Sequence, residues 1–162
     1  MAQTEVKWVS RWQELTDFLQ MQDAFSLWSL FTSAFISSTV APGGSEAVLA
    51  YLVVQAQIPL ILLLSVATVG NTLGALTTWW LGIFAAKKYP VATLLSSKKQ
   101  KALTLVRKKG LWVLLFSWLP IIGDALCFAG GWLKLPFLPG CLFILIGKLV
   151  RYTAIAWMVQ IS

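Results

Sequence analysis

Apolar residues run through this chain in long stretches, and the polar breaks between them carry its architecture. Near the start, Trp8, Trp12, Leu15 and Leu19 follow one another at intervals of four, three and four. That is one stripe of a helix, with Gln13, Glu14 and Asp17 on the other side. Residues 5–20 therefore predict an amphipathic helix, either held in a membrane interface by its tryptophans or packed on the protein's own rim. They lack the basic start and apolar run of a signal peptide. Residues 24–41 are uncharged and rich in Ser and Thr, small hydroxyl residues that let helices approach closely. Pro42-Gly43-Gly44-Ser45-Glu46 then breaks the pattern, and residues 47–58 leave only a dozen positions before Pro59. A span needs about 20 residues. Residues 24–58 therefore predict a re-entrant hairpin that reaches the midplane and returns, with Glu46 at its tip. The competing reading is a loop between two full spans, with Glu46 among the headgroups.

Residues 60–86 are long enough to cross a bilayer. Gly70 and Gly74 give that segment a small-xxx-small face, and Asn71 between them is an amide at bilayer depth that needs partners. Trp79 and Trp80 mark its approach to an interface. Residues 87–109 carry Lys87, Lys88, Lys98, Lys99, Lys101, Arg107, Lys108 and Lys109 with no acid. The positive-inside rule makes this linker cytoplasmic, and as a charge run it also attracts anionic headgroups. Leu95, Ala102, Leu105 and Val106 form only a weak amphipathic face within it. Residues 111–135 repeat the opening theme as a second re-entrant hairpin. Leu111–Leu119 is one leg, Pro120-Ile121-Ile122-Gly123-Asp124 the break, and Ala125–Leu133 the other leg. Each leg covers about 15 Å, too little to span. After Pro136, residues 137–161 are again long enough to cross, with Lys148 and Arg151 near their centre.

Composition agrees with this pattern. Of 162 residues, 58% are hydrophobic and 12% charged, and mean hydropathy is +0.77. These values indicate an all-α polytopic membrane protein, with residues 1–162 as a single membrane domain. Several of the nine Trp lie at the edges of apolar segments. The net charge of +7 reads as a topology signal rather than as a nucleic-acid surface. Cys127 and Cys141 lie in apolar surroundings and read as small core residues, and no cofactor or metal is expected. With no His in the chain, Ser45 has no base for a Ser-His mechanism. Ile122-Gly123-Asp124 matches only part of the Gly-x-Gly-Asp of aspartyl intramembrane proteases, and no phosphate-binding Gly-rich loop is present. The chain does not read as an enzyme.

The two halves can be laid over one another. Pro42 precedes Glu46 by four residues, and Pro120 precedes Asp124 by four. Gly70-Asn71 follows the first acid and Gly147-Lys148 the second, at acid-to-polar spacings of 25 and 24. Each half is a hairpin plus one crossing, so the second half enters from the opposite face: an inverted repeat, with both termini away from the cytoplasm. Glu46, Asp124, Lys148 and Arg151 sum to zero charge and are expected to converge, with Asn71 close by, on one site between the hairpin tips and the last helix. The tip backbones at Pro42, Gly43, Gly44, Ser45, Pro120 and Gly123 would open helix N-termini toward that site. Such ends favour an anion, and the arginine suits phosphate. The plain structural reading is an ion-paired network that only locks the helices together.

On Pro42-Gly43-Gly44-Ser45-Glu46, Gly70-Asn71-Thr72-Leu73-Gly74, Ser117-Trp118-Leu119-Pro120-Ile121-Ile122-Gly123-Asp124 and Gly147-Lys148-Leu149-Val150-Arg151-Tyr152, the chain resembles the DedA (SNARE-associated, VTT-domain) membrane proteins, and most closely their YqaA-type branch. The likeness covers about residues 25–160. It implies a bacterial inner-membrane protein with two re-entrant hairpins that moves polyprenyl phosphate or phospholipid between leaflets, coupled to protons or Na+. The family's first-hairpin acid maps onto Glu46. Its Gly-Asp in the first crossing is met here by Gly74-Ala75, and its two arginines around the second-hairpin proline by Ser117 and Gly123. Basic charge stands instead at Lys148 and Arg151. The alternative is a non-catalytic scaffold or assembly factor whose buried ions are structural. The pattern leaves substrate and oligomeric state open.

Overall fold

In the computed structural model, residues 2–39, 43–88, 101, 104–106, 108–119 and 122–161 are described, and their side chains from residue 20 onward, Lys88 excepted. Among the described residues the chain forms α1 (Ala2–Ser37), α2 (Gly44–Gln55), α3 (Leu60–Lys88), a 3₁₀ helix (Gly110–Trp118), α4 (Ile122–Trp132) and α5 (Phe137–Gln160), and residues 101, 104–106 and 108–109 are helical as well. Pro42 and Pro120, most of the basic linker, and the Trp8/Trp12/Leu15/Leu19 stripe lie outside the described residues and side chains.

Among the described residues, α3 and α5 are the helices long and apolar enough to cross a membrane. At 1.5 Å per residue they measure about 43 and 36 Å, against about 18 Å for α2. Phe25, Val54, Ile61, Trp112, Leu138 and Trp157 point outward from them and their neighbours, exposed apolar surface that suits lipid rather than water.

The packing repeats between the halves. α1 lies on α3 and the 3₁₀ helix on α5, each first leg against the long helix of its own half. The second legs cross over, with α4 on α3 and α2 on α5, while the two long helices pack on each other. The small-residue face of α3 is used as its spacing predicts. A Cβ added at Gly70 would meet the Phe31 carbonyl oxygen of α1 at 2.7 Å, and one at Gly74 the Phe35 carbonyl oxygen at 2.5 Å. Gly147 holds α5 against the 3₁₀ helix in the same way, with the Leu115 carbonyl oxygen 2.8 Å from such a Cβ.

Four details differ from the sequence pattern. α1 runs unbroken from Ala2 to Ser37, so the predicted interfacial helix and the first hairpin leg are one element. No Gly or Pro lies between residues 20 and 24 to stop it. The first leg of the second hairpin is a 3₁₀ helix nine residues long, an uncommon length for that form. Its three-residue repeat stacks Leu114 and Ser117 on one buried face. Trp79, read as an interface marker, is buried instead. Gly130 and Gly140 leave a notch that its ring fills, and a Cβ at either would meet that ring at 2.5 and 2.7 Å. Trp80 does face outward. Val106, from the basic linker, is buried in the core around Trp79, Leu114 and Leu126. Cys127 is buried and Cys141 partly so, both as free thiols.

Candidate functional site: two clasps on one helix face

The chain breaks where the acids sit, and local chemistry closes each break. α1 ends as the Ser38 amide reaches the Ala34 carbonyl at 3.3 Å and Thr39 that of Ile36 at 3.0 Å. Gly43, at φ +112, takes a left-handed turn that only glycine adopts without strain, and its N–H donates to Ser37 Oγ at 3.3 Å. That turn starts α2 at Gly44 and places Glu46 in its first turn. At the second break the Gly123 amide donates to the Leu119 carbonyl at 2.9 Å, and Asp124 falls in the first turn of α4.

Both acids meet α5. Lys148, Arg151 and Tyr152 stand at i, i+3 and i+4 and so share a face. Lys148 Nζ lies 3.4 Å from Asp124 Oδ1 and donates to Ser38 Oγ at 3.5 Å. Ser38 in turn donates to Asp124 Oδ1 at 3.1 Å, closing a three-membered set. One turn further on, Arg151 Nη2 donates to Glu46 Oε1. Beside that pair the Tyr152 and Ser45 hydroxyls are 3.0 Å apart, and the Asn71 amide donates to the Tyr152 oxygen at 2.5 Å. Two neighbouring residues of α2 are thus tied to two neighbouring residues of α5, once by charge and once by hydroxyls.

Burial grades these contacts. Lys148 is 1% exposed and Asp124 28%, whereas Arg151 is 9% and Glu46 36%. The Asn71 Oδ1, Thr68 Oγ1, Thr72 Oγ1 and Ser117 Oγ atoms are buried and have no hydrogen-bond partner among the described residues. Thr68, Asn71 and Thr72 share a face of α3 by their spacing. Unpaired buried oxygens cost about 1–3 kcal/mol each, so this interior is built more polar than packing alone requires.

The sequence pattern picked out all four charged residues and Asn71, and the structure brings each of them to the α5 face. It pairs the charges one to one, however, rather than mixing them in a single cluster. Gly43, Gly44, Ser45 and Gly123 form or flank the breaks between the helices. Sequence reasoning missed Tyr152 and Ser38 as partners. Tyr152 carried a signal, a hydroxyl four residues after a lysine in an apolar helix. Ser38 carried none, because nothing local distinguishes it from its neighbours Ser37 and Thr39.

Known proteins resemble the chain closely. It is 42% identical over 137 residues to the inner membrane protein YqaA of Escherichia coli, covering 84% of this chain and 92% of that protein. YqaA of Shigella flexneri matches to the same extent. An uncharacterized protein of Haemophilus influenzae is 39% identical over 149 residues, 88% of this chain and 90% of its own length. No protein-family model and no solved structure matches.

Proposed function

Since the chain belongs to the YqaA family of inner membrane proteins, we propose that it is a multi-pass protein of that membrane which moves an anionic, phosphate-headed lipid between leaflets. The observation that carries this reading is the pair of ion pairs on adjacent turns of α5. Replacing a buried ion pair by well-packed apolar residues is often neutral or stabilising, so charge in an apolar core is weakly explained by stability alone. Ionisable residues within membrane segments almost always face the bundle interior, where they mark ion and substrate paths. The resemblance to DedA proteins, with polyprenyl phosphate or phospholipid as the substrate class, points the same way.

The repeated packing of the halves supports an inverted repeat of two re-entrant hairpins, with linker 87–109 on the cytoplasmic side. In such a fold the substrate site lies where the hairpin tips meet, and here that is the face of Lys148, Arg151 and Tyr152. The basic face draws the phosphate, and an acid takes up its place when it leaves. A protonatable acid so placed also allows protons to drive the cycle. The scaffold reading keeps one observation on its side: the Lys148–Asp124–Ser38 set is internally complete.

Reconstitution tests the proposal. Liposomes containing the protein and a fluorescent phosphatidic acid, labelled on its acyl chain, are expected to transfer probe between leaflets faster than empty ones, and faster still under a pH gradient. Glu46→Gln protein, folded by size-exclusion chromatography, is expected to lose that transfer by about tenfold or more. Transfer equal to that of empty liposomes from well-folded wild-type protein would instead favour the scaffold.

A further inference from the structure

The two clasps have the same chemistry but not the same freedom. Asp124 is bound by two donors, and its lysine is almost wholly enclosed. Glu46 has Arg151 as its one described side-chain partner, and more than a third of it is exposed. Arg151 presents five N–H donors, of which the described contacts use one, on Glu46. A guanidinium with spare donors suits bidentate recognition of phosphate, and a buried lysine engaged on two sides does not.

Resting on the transport reading above, we propose a division of labour between the clasps. Arg151 is the residue that grips the lipid phosphate, and Glu46 is an internal competitor that the phosphate displaces. Lys148, Asp124 and Ser38 form a pin that stays closed while this happens. When the phosphate leaves, Glu46 returns to Arg151, so the cation is not left bare in the apolar core. The neighbouring Ser45–Tyr152–Asn71 contacts keep the tip of α2 in reach during the exchange.

The two acids then answer oppositely to neutralisation. In detergent micelles, dihexanoyl phosphatidic acid is titrated by calorimetry, with dihexanoyl phosphatidylcholine as control. Removing the competitor in Glu46→Gln is expected to tighten phosphatidic acid binding about tenfold. The same ligand should raise the thermal midpoint of Glu46→Gln more than that of wild type, because binding to the folded state is linked to stability. Arg151→Gln is expected to lose binding. Asp124→Asn should show no gain in affinity and a lowered midpoint. Should Asp124→Asn not fold, Ser38→Ala loosens the same pin without removing a charge and should also show no gain. Glu46→Gln binding more weakly than wild type, or Asp124→Asn or Ser38→Ala gaining as much as Glu46→Gln, would overturn the division of labour while leaving a phosphate site in place. Failure of folded wild type and every variant to prefer phosphatidic acid over phosphatidylcholine would remove the phosphate reading itself.

Discussion

At the first hairpin tip, Glu46 meets a single cation and keeps more than a third of its surface open. At the second, Asp124 is shared between Lys148 and Ser38, with its lysine enclosed. Both acids occupy the first turn of a second leg, and both reach the same face of α5. The difference lies in what surrounds them. α4 meets the end of α1 through Ser38, so three elements fix Asp124. α2 reaches α5 through Glu46 and Ser45, and Asn71 of α3 is added only through the Tyr152 hydroxyl. The comparison teaches that burial and the number of partners, rather than the acid–base match itself, separate a fixed charge from a movable one.

The strongest challenge to that contrast is Asp124→Asn. It removes the negative partner of an enclosed lysine, and loss of one member of a buried pair costs about 3 kcal/mol or more. Thermal unfolding in detergent should therefore show a clearly larger drop than for Glu46→Gln, whose carboxylate is partly solvated and where about 1 kcal/mol is expected. Equal drops would erase the distinction between the tips. Tyr152→Phe comes next. It strips a hydroxyl shared by Ser45 and Asn71, leaving two buried groups unpaired, at a cost of about 2 kcal/mol. Combined with Glu46→Gln, its cost should depart from the sum of the single changes, because both act on the same α2–α5 junction. With Asp124→Asn the costs should sum more nearly. Ser117→Ala sets the lower limit. Its hydroxyl is buried without a described partner, so removing it should raise stability slightly, by about 1 kcal/mol.

Much of this arrangement is written locally in the chain. Pro42 and Pro120 announce breaks, and Gly70 and Gly74 announce a close helix contact. Charge in an apolar segment is equally plain, which is why Glu46, Asp124, Lys148 and Arg151 stood out. Which acid takes which base was not legible. Lys148 and Arg151 are one turn apart, and the choice depends on how α5 is rotated against α2 and α4, whose acids stand 105 and 24 residues before their partners. The 3₁₀ form of Gly110–Trp118 was hidden for a related reason, since its apolar composition suits an α-helix equally well. α1 was divided too early, because a change from amphipathic to apolar pattern marks a change of surroundings and not a helix end.

Trp79 makes the lesson concrete, and its setting reaches beyond the site. The largest of the fully buried side chains described rests where Gly130 and Gly140, on two different helices, offer no side chain at all. Three positions spread over sixty residues are therefore bound to change together or not at all. A methyl group gained at either glycine would lever α3 away from both neighbours, and a smaller residue at 79 would leave a hole that neither helix can close alone. Random mutagenesis should find this corner of the molecule far less forgiving than the charged residues on which transport is proposed to depend.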